Sequence, residues 1–387
     1  MKIIKQSVSA DIAKGKFDAC FSVLTSEHRV VVKATHRFAN SALGLAAFSK
    51  WVRKWEDAQV ELVVIMEATG VYYENLAWAM HQQGRRINVV LANRAKKYFQ
   101  SLGYKSKNDR LDAKALAHMG AERDLEPWQP LSRQLYLLRK LTREHEQLQQ
   151  VRTETANRLH AESYGMHVGK STVKRLEKTL QLYDAQLKAI RQEIKATVEK
   201  DALLQEKISK VTTIKGVGLL TAATIVAETN GFALFTNQKQ LVSYVGYDVV
   251  ENQSGNRVGR TRISKQGNSH IRRILHMPAL HAVRRNVPVC RALFERLRSK
   301  GKKKMLAYVA VQKKLLILIY TLWKKDEVWQ ESKCQGPQPD EKVAILSLEA
   351  GASLSGVSEA DENKVAPQGR ATQDEHPAPI GQELSFR

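Results

Sequence analysis

Residues 60–66 read VELVVIM, and Glu67 follows at once. An apolar run without polar alternation leaves no face for water. As a strand it must be covered on both sides, which calls for helices above and below a sheet. INVVLA at 87–92 makes the same demand. Around these two, KFDACFSVL and RVVVKATH read as strands, and KIIKQSVSA does so more weakly. SALGLAAFSKWVRKW is an amphipathic helix, and YYENLAWAMHQQ is a helix that stops at Gly84. Two helical stretches follow INVVLA. Three early strands and then alternating helix and strand predict an α/β domain with a mixed sheet over residues 1–125.

The period then changes. From 131 to 206 apolar residues recur at three and four. Leu131, Leu135, Leu138, Leu141 and Leu148 form one stripe. Leu176, Leu180, Tyr183, Leu187, Ile190 and Ile194 form another, and SYGMHVGKS separates them. Two such helices predict a long helical coiled-coil linker, within one chain or between chains; a plain helical bundle is the alternative. Residues 208–330 predict a mainly α domain. Its KGVG, between two apolar helices, reads as a helix–hairpin–helix in which Gly216 and Gly218 let backbone N–H groups approach a phosphate. HIRRILHMPALHAVRRN predicts a basic amphipathic helix carrying Arg272 and Arg273, and residues 305–325 predict a core helix. Residues 335–387, rich in Pro, Gly, Ser and acids, predict a disordered acidic tail.

Charge narrows the partner. The 387 residues carry 62 Lys+Arg against 39 Asp+Glu, a net +23. The tail from Gln335 holds nine acids and four bases, which leaves the rest of the chain near +28. A body this basic implies a polyanion, most simply nucleic acid. Cys20, Cys290 and Cys334 are scattered, without paired spacing, which fits a reducing cytoplasm rather than a disulfide framework or a zinc site. The N-terminus is too polar for a signal peptide. The run LLILIYTLW is about half the length of a membrane span, so no membrane partner is expected.

Against this basic background four acids stand out. Asp11 follows the first strand, and Glu67 ends VVIM and opens EATG. Asp109 and Asp112, in KNDRLDAKALA, lie three apart at a helix start and share a face. Each has a plainer reading: Asp11 in a turn, Glu67 as a cap, Asp109 as an N-cap. Converging at one end of the sheet, they would form a set of hard oxygen ligands for Mg²⁺, which is commonly shared with substrate phosphates. The second candidate is ENQSGNRVGRTRISKQGN, Glu251 to Asn268. Ser254 is a turn serine or a nucleophile. Arg257, Arg260, Arg262 and Lys265 supply positive charge for a phosphate. Ser264, before a helix, reads as a cap or phosphate contact.

ADIAKGKFDACF, MEATGVYYENLA and KNDRLDAKALA resemble the RuvC-like (RNase H-like) DEDD domain of insertion-sequence-110-type transposases and the related pilin-gene invertases. IKGVGLLTAATIVAE and LVSYVGYDVVENQSGNRVGRTRISKQGNSHIRRILHMPAL resemble the C-terminal transposase domain of the same family, in the same order. Ala10 stands where that family often has glycine, and GYDVV replaces a proline turn. The resemblance covers roughly residues 1–330. It implies that Asp11, Glu67, Asp109 and Asp112 hold Mg²⁺ and that Ser254 is the nucleophile of a DNA recombinase. It further implies a 5′-phosphoserine intermediate, double-stranded donor and target DNA, a structured noncoding bridge RNA as guide, and a homo-oligomer, dimer or tetramer. Such a protein would work in the bacterial cytoplasm, at the nucleoid. A RuvC-like hydrolytic nuclease and a protein-directed invertase without guide RNA are the alternatives.

Overall fold

The structure is a computed structural model that describes residues 2–103, 108–255, 257–259 and 261–331. The expected tail, Cys334 and Arg260 lie outside the described residues. Five strands form the N-terminal sheet: β1 (Ile3–Ile12), β2 (Lys16–Thr25), β3 (Val30–Ala39), β4 (Leu62–Glu67) and β5 (Arg86–Val90). Their order is β3-β2-β1-β4-β5. β2 runs antiparallel to β1 and β3, while β4 is parallel to β1 and β5. The sheet is therefore mixed, with the two apolar runs on its parallel side.

Alternation along β1 sorts the layers. Val8, Ala10 and Ile12 face one way, with Phe17, Ala19, Phe21, Val64 and Met66 of the neighbouring strands. They pack beneath α1 (Ala42–Trp55) and α2 (Glu74–Gln82) through Phe48, Val52, Leu76 and Met80. Ser7, Ser9 and Asp11 face the other way. That face is covered by α3 (Ala92–Ser101) and α4 (Asp109–Glu122), through Ile65, Ala95, Tyr98 and Leu116. Ala113, Ala117 and Gly120 bring α4 unusually close to the strands. A Cβ on Gly120 would lie 2.3 Å from Ser7 Oγ and 2.9 Å from an Ile65 methyl. Ser9 Oγ donates to the Ala113 carbonyl at 2.6 Å and pins the start of the helix.

Two long helices follow, α5 (Arg133–Tyr164) and α6 (Lys170–Glu199), packed against each other. They are not a free-standing linker. Leu138, Ile190, Ile194 and Val198 belong to one buried core with residues of all the later helices, and Leu135, Leu141 and Leu148 pack against it. The later helices are α7 (Ala202–Thr212), α8 (Leu219–Glu228), α9 (Gln238–Val245), α10 (Ser269–Ile274), α11 (His276–Arg284), α12 (Pro288–Ser299) and α13 (Lys304–Lys325). By length and composition α13 is apolar enough to cross a membrane. Val311, Leu315, Leu316 and Ile319 nevertheless sit at the centre of this core.

The single basic helix expected after Asn268 is two, α10 and α11, broken at Leu275. Pro278 explains the break: its ring clashes with the carbonyl four residues earlier, at Ile274, and it has no N–H to give. In the first turn of a new helix neither fault matters. Glu251–Arg262 belongs to a separate small unit. Within it Gln253–Ser254 pairs antiparallel with Arg257–Val258.

Candidate functional site

Register builds the acidic site. Asp11 pairs with Asp18 across β1 and β2, and Asp18 pairs with Arg37 across β2 and β3. On the other side Ala10 is beside Met66, so Asp11 and Glu67 are the next positions on two parallel neighbours. Directly paired residues share a face. Glu67, Asp11, Asp18 and Arg37 thus form a row across four strands, on the face that α4 covers. Asp11 lies inside β1 rather than after it, because the hairpin ladder with β2 runs on to Ile12 and Phe17. Glu67 is the last residue of β4 and caps no helix.

α4 brings the other two acids. Asn108, not Asp109, caps it by accepting from Leu111 N at 2.9 Å. Asp109 and Asp112 therefore fall in its first turn, where acids suit the positive end of the helix. Asp109 lies 3.9 Å from both Lys16 Nζ and Arg37 Nη2. The Asn40 amide ties the rims together, donating to the Ala13 carbonyl at 3.1 Å and to the Tyr72 carbonyl at 3.2 Å. These two carbonyls belong to the loops that follow Asp11 and Glu67.

The electrostatic consequence falls on Asp11, whose carboxyl is pushed up to about 6. Burial is the larger cause; the charges of Asp112, Asp109, Glu67 and Asp18 add to it. Four carboxylates that repel one another are the hard, anionic donor set suited to a divalent cation. By the chemistry of its donors the cluster fits Mg²⁺. Among the described residues, no three His, Cys, Asp or Glu side chains already stand in an arrangement that would hold a metal ion.

Asp18, Arg37, Lys16 and Asn40 were not singled out in the sequence. Only Asp18 left a signal there: a carboxylate inside the apolar strand FDACF is a buried charge that needs a partner. It is 4% exposed. Arg37 grips it as a fork, Nη2 at 2.9 Å and Nε at 3.2 Å from both oxygens.

The second candidate is exposed. Ser254 stands at the end of its hairpin strand, directly opposite Arg257. Gly255 turns the chain at φ +53 with open space around it, a conformation that disfavours a side chain. Gly259 donates to the Asn252 carbonyl at 2.7 Å, and a Cβ there would meet that residue at 2.8 Å. Arg262 and Lys265 are exposed, and Lys265 holds a positive φ of 54. Ser264 Oγ accepts from Gln266 N at 3.3 Å, which makes it a turn serine.

The remaining basic candidates divide. Arg272 is spent inside the domain on the Val245 and Asn268 carbonyls. Arg273 is exposed but pairs with Glu146 of α5. Both contacts are internal and compete with any phosphate. Gly216 turns between α7 and α8 at φ +98, and a Cβ there would press on His281 and the Pro278 carbonyl of α11. Its smallness serves helix packing. Gly218 is exposed at the start of α8.

A buried latch joins α5 to this region. Arg143 donates to both oxygens of Glu228 at 2.6 and 2.9 Å, and Asn268 Nδ2 donates to one of them at 2.7 Å. Burial alone would raise the Glu228 carboxyl, but these partners hold it below its ordinary value.

Comparison with known proteins gives two separate family matches. Residues 8–162 match a family model for the DEDD transposases of IS110. Residues 208–295 match the transposase IS116/IS110/IS902 family. The pilin gene-inverting protein of Moraxella bovis is 29% identical over 322 residues, covering 82% of this chain and 95% of that protein. The protein of the same name from Moraxella lacunata matches to the same extent. Among solved structures, Thermus thermophilus RuvC is similar over 30% of this chain and 93% of its own, with 11% identity and a TM-score of 0.25.

Proposed function

Because the chain belongs to the IS110 family of transposases, whose two models together match more than half of it, and is a DNA transposase or recombinase, we propose that it cuts and rejoins DNA through a covalent serine intermediate. The observation that carries this reading is the division of the matches. One falls on the acid-bearing layer, the other on the segment that holds Ser254. A hydrolytic nuclease would need only the first.

Ser254 is the nucleophile in this reading. Its Oγ forms a bond to phosphorus as the bond from phosphorus to the 3′ oxygen breaks. The hydroxyl proton is lost, the 3′ oxygen takes one up, and the products are a 5′-phosphoserine and a free 3′-OH. The phosphoester bond is conserved, so reversal against another 3′-OH rejoins strands without ATP. A serine hydroxyl is a weak nucleophile at neutral pH and needs activation. Arg257, opposite Ser254, and the exposed Arg262 are suited to bind the phosphate around it, and the exposed Lys265 is a further candidate for contact with nucleic acid. Arg260 joins them on sequence alone.

Asp11, Glu67, Asp109 and Asp112 would hold Mg²⁺, which when bound offsets charge developing on the phosphoryl oxygens. The raised Asp11 carboxyl supports this reading: burial and, after it, the neighbouring carboxylates disfavour its charge, and a bound cation would offset both. Double-stranded donor and target DNA, a structured noncoding guide RNA and a dimeric or tetrameric assembly complete the proposal. The net charge of +23 supports the nucleic-acid partners.

Covalent trapping on a nicked suicide substrate tests the chemistry. Wild type is expected to form a protein–DNA adduct in Mg²⁺, and Ser254→Ala none. An adduct that survives Ser254→Ala removes the serine from the mechanism. A second reading, a protein-directed invertase, is favoured by the pilin gene-inverting relatives. Sequencing of co-purified RNA separates the two: one structured species supports guidance by RNA, and a random cellular mixture supports the invertase.

A further inference from the structure

The fifth acid of the cluster is not available to a metal, and what it does instead points to a further residue. Asp18 is buried, in register with Asp11, and both its oxygens are taken by Arg37. A buried carboxylate is costly unless paired, and an arginine fork matches it with two parallel bonds. The pair therefore holds the guanidinium rigidly at the end of the row Glu67–Asp11–Asp18–Arg37. Arg37 itself is half exposed, its side chain 49% open to solvent. Guanidinium has five N–H donors, and the Asp18 edge uses those of Nε and Nη2. Among the described residues Nη1 has no hydrogen-bond partner, and Nη2 lies 3.9 Å from Asp109.

We propose that Arg37 is a substrate-contacting residue: one edge of its guanidinium is aimed by Asp18, and the other takes a non-bridging oxygen of the phosphodiester at the acid cluster. The inference rests on the reading of that cluster as a site of DNA cleavage. An acidic site repels the polyanion it must cut, so a fixed cation at its rim has a clear electrostatic use. A freely moving surface lysine would not need a buried carboxylate to aim it; this arginine has one. Lys16, also near Asp109, has no such support. Asp18 is then a positioning residue that acts through Arg37.

The decisive variant is Arg37→Lys in the full-length protein. Lysine can keep the pair with Asp18, and so the fold, but a point charge cannot serve two edges at once. Two readouts are needed. The first is binding to a labelled DNA duplex in Ca²⁺ over a salt series, where each lost phosphate contact lowers the slope of log K against log salt by about 0.9. The second is single-turnover cleavage in Mg²⁺. Arg37→Lys is expected to unfold within a few degrees of wild type, to lose about one unit of salt slope and to cleave about 10²-fold more slowly. Arg37→Gln should show the same two losses together with a lower melting temperature. If Arg37→Lys keeps both the slope and the rate of wild type, the arginine is structural only and the proposal is overturned. If wild type itself cleaves no DNA in Mg²⁺, the proposed function fails, while the salt slope still decides whether Arg37 meets a phosphate.

Discussion

Asp11 shows what the site costs the fold. Its carboxyl titrates at about 6 in the folded chain against 3.8 as an ordinary aspartate. The folded state therefore holds the proton more tightly than the unfolded one. Below pH 3.8 both states are protonated and nothing is lost; between 3.8 and 6 a stability penalty grows, and above 6 it is complete. Asp11→Asn removes a charge that its neighbours repel. It is expected to stabilise the metal-free protein at pH 7.5 by about 1–2 kcal/mol, after allowance for its partial exposure, and to have no effect near pH 3.5. Urea melts at the two pH values check this; an equal effect at both would mean that charge is not the cause. Asp11, Glu67, Asp109 and Asp112 could be singled out because each lies near the end of a local pattern, late in a strand or at a helix start. Asp18 shows in the sequence only as a carboxylate inside an apolar strand, and its pairing with Arg37 does not show at all, because that depends on register between strands. Register is set by the whole sheet and leaves no mark within nine residues of KFDACFSVL.

At the scale of elements, the placement of α4 decides whether two of the acids reach the sheet. Gly120 permits its close approach, and the obstacle to a larger residue is Ser7 and Ile65 on buried strands. Alanine would gain about 1 kcal/mol of helix propensity over glycine. Overpacking against fixed strands costs about 1–3 kcal/mol and should win. Gly120→Ala is thus expected to lower the melting temperature and to reduce Mg²⁺-dependent cleavage beyond what the stability loss explains, since Asp109 and Asp112 ride on the same helix. A stabilised variant would show that α4 has room to spare. The Arg143–Glu228 latch is a separate case. Arg143→Ala leaves the buried Glu228 without its cation; since Arg143 itself is 43% exposed, the cost is expected to fall below the usual penalty for a fully buried pair, at about 2 kcal/mol. Chemical denaturation measures it, and a loss below about 1 kcal/mol would mean that Asn268 and water suffice. The order of strands and helices in the N-terminal sheet domain was readable from period alone. The merging of α5 and α6 with the C-terminal core was not: Leu138 and Ile190 satisfy a helical stripe equally well against a partner helix or against a domain.

For the whole molecule the governing quantity is charge. The segment from Gln335 onward carries a net −5, and the body near +28 is what a duplex would meet without it. Removing residues 335–387 raises the net charge from +23 to about +28. The described cores are built from residues up to Trp323, and the truncated chain is expected to unfold at the temperature of the full one. Affinity for non-specific duplex DNA should rise, because a long-range attraction loses its opposing charge. Salt then identifies the cause. At about 0.1 M the screening length is about 10 Å and the five charges are felt; at about 1 M it is about 3 Å and only contacts remain. The gain from truncation is therefore expected to shrink steadily between these salt concentrations and to vanish at the upper one. A gain that persists at about 1 M would instead mean that the tail occupies a binding surface directly, because a contact broken by deletion does not depend on screening.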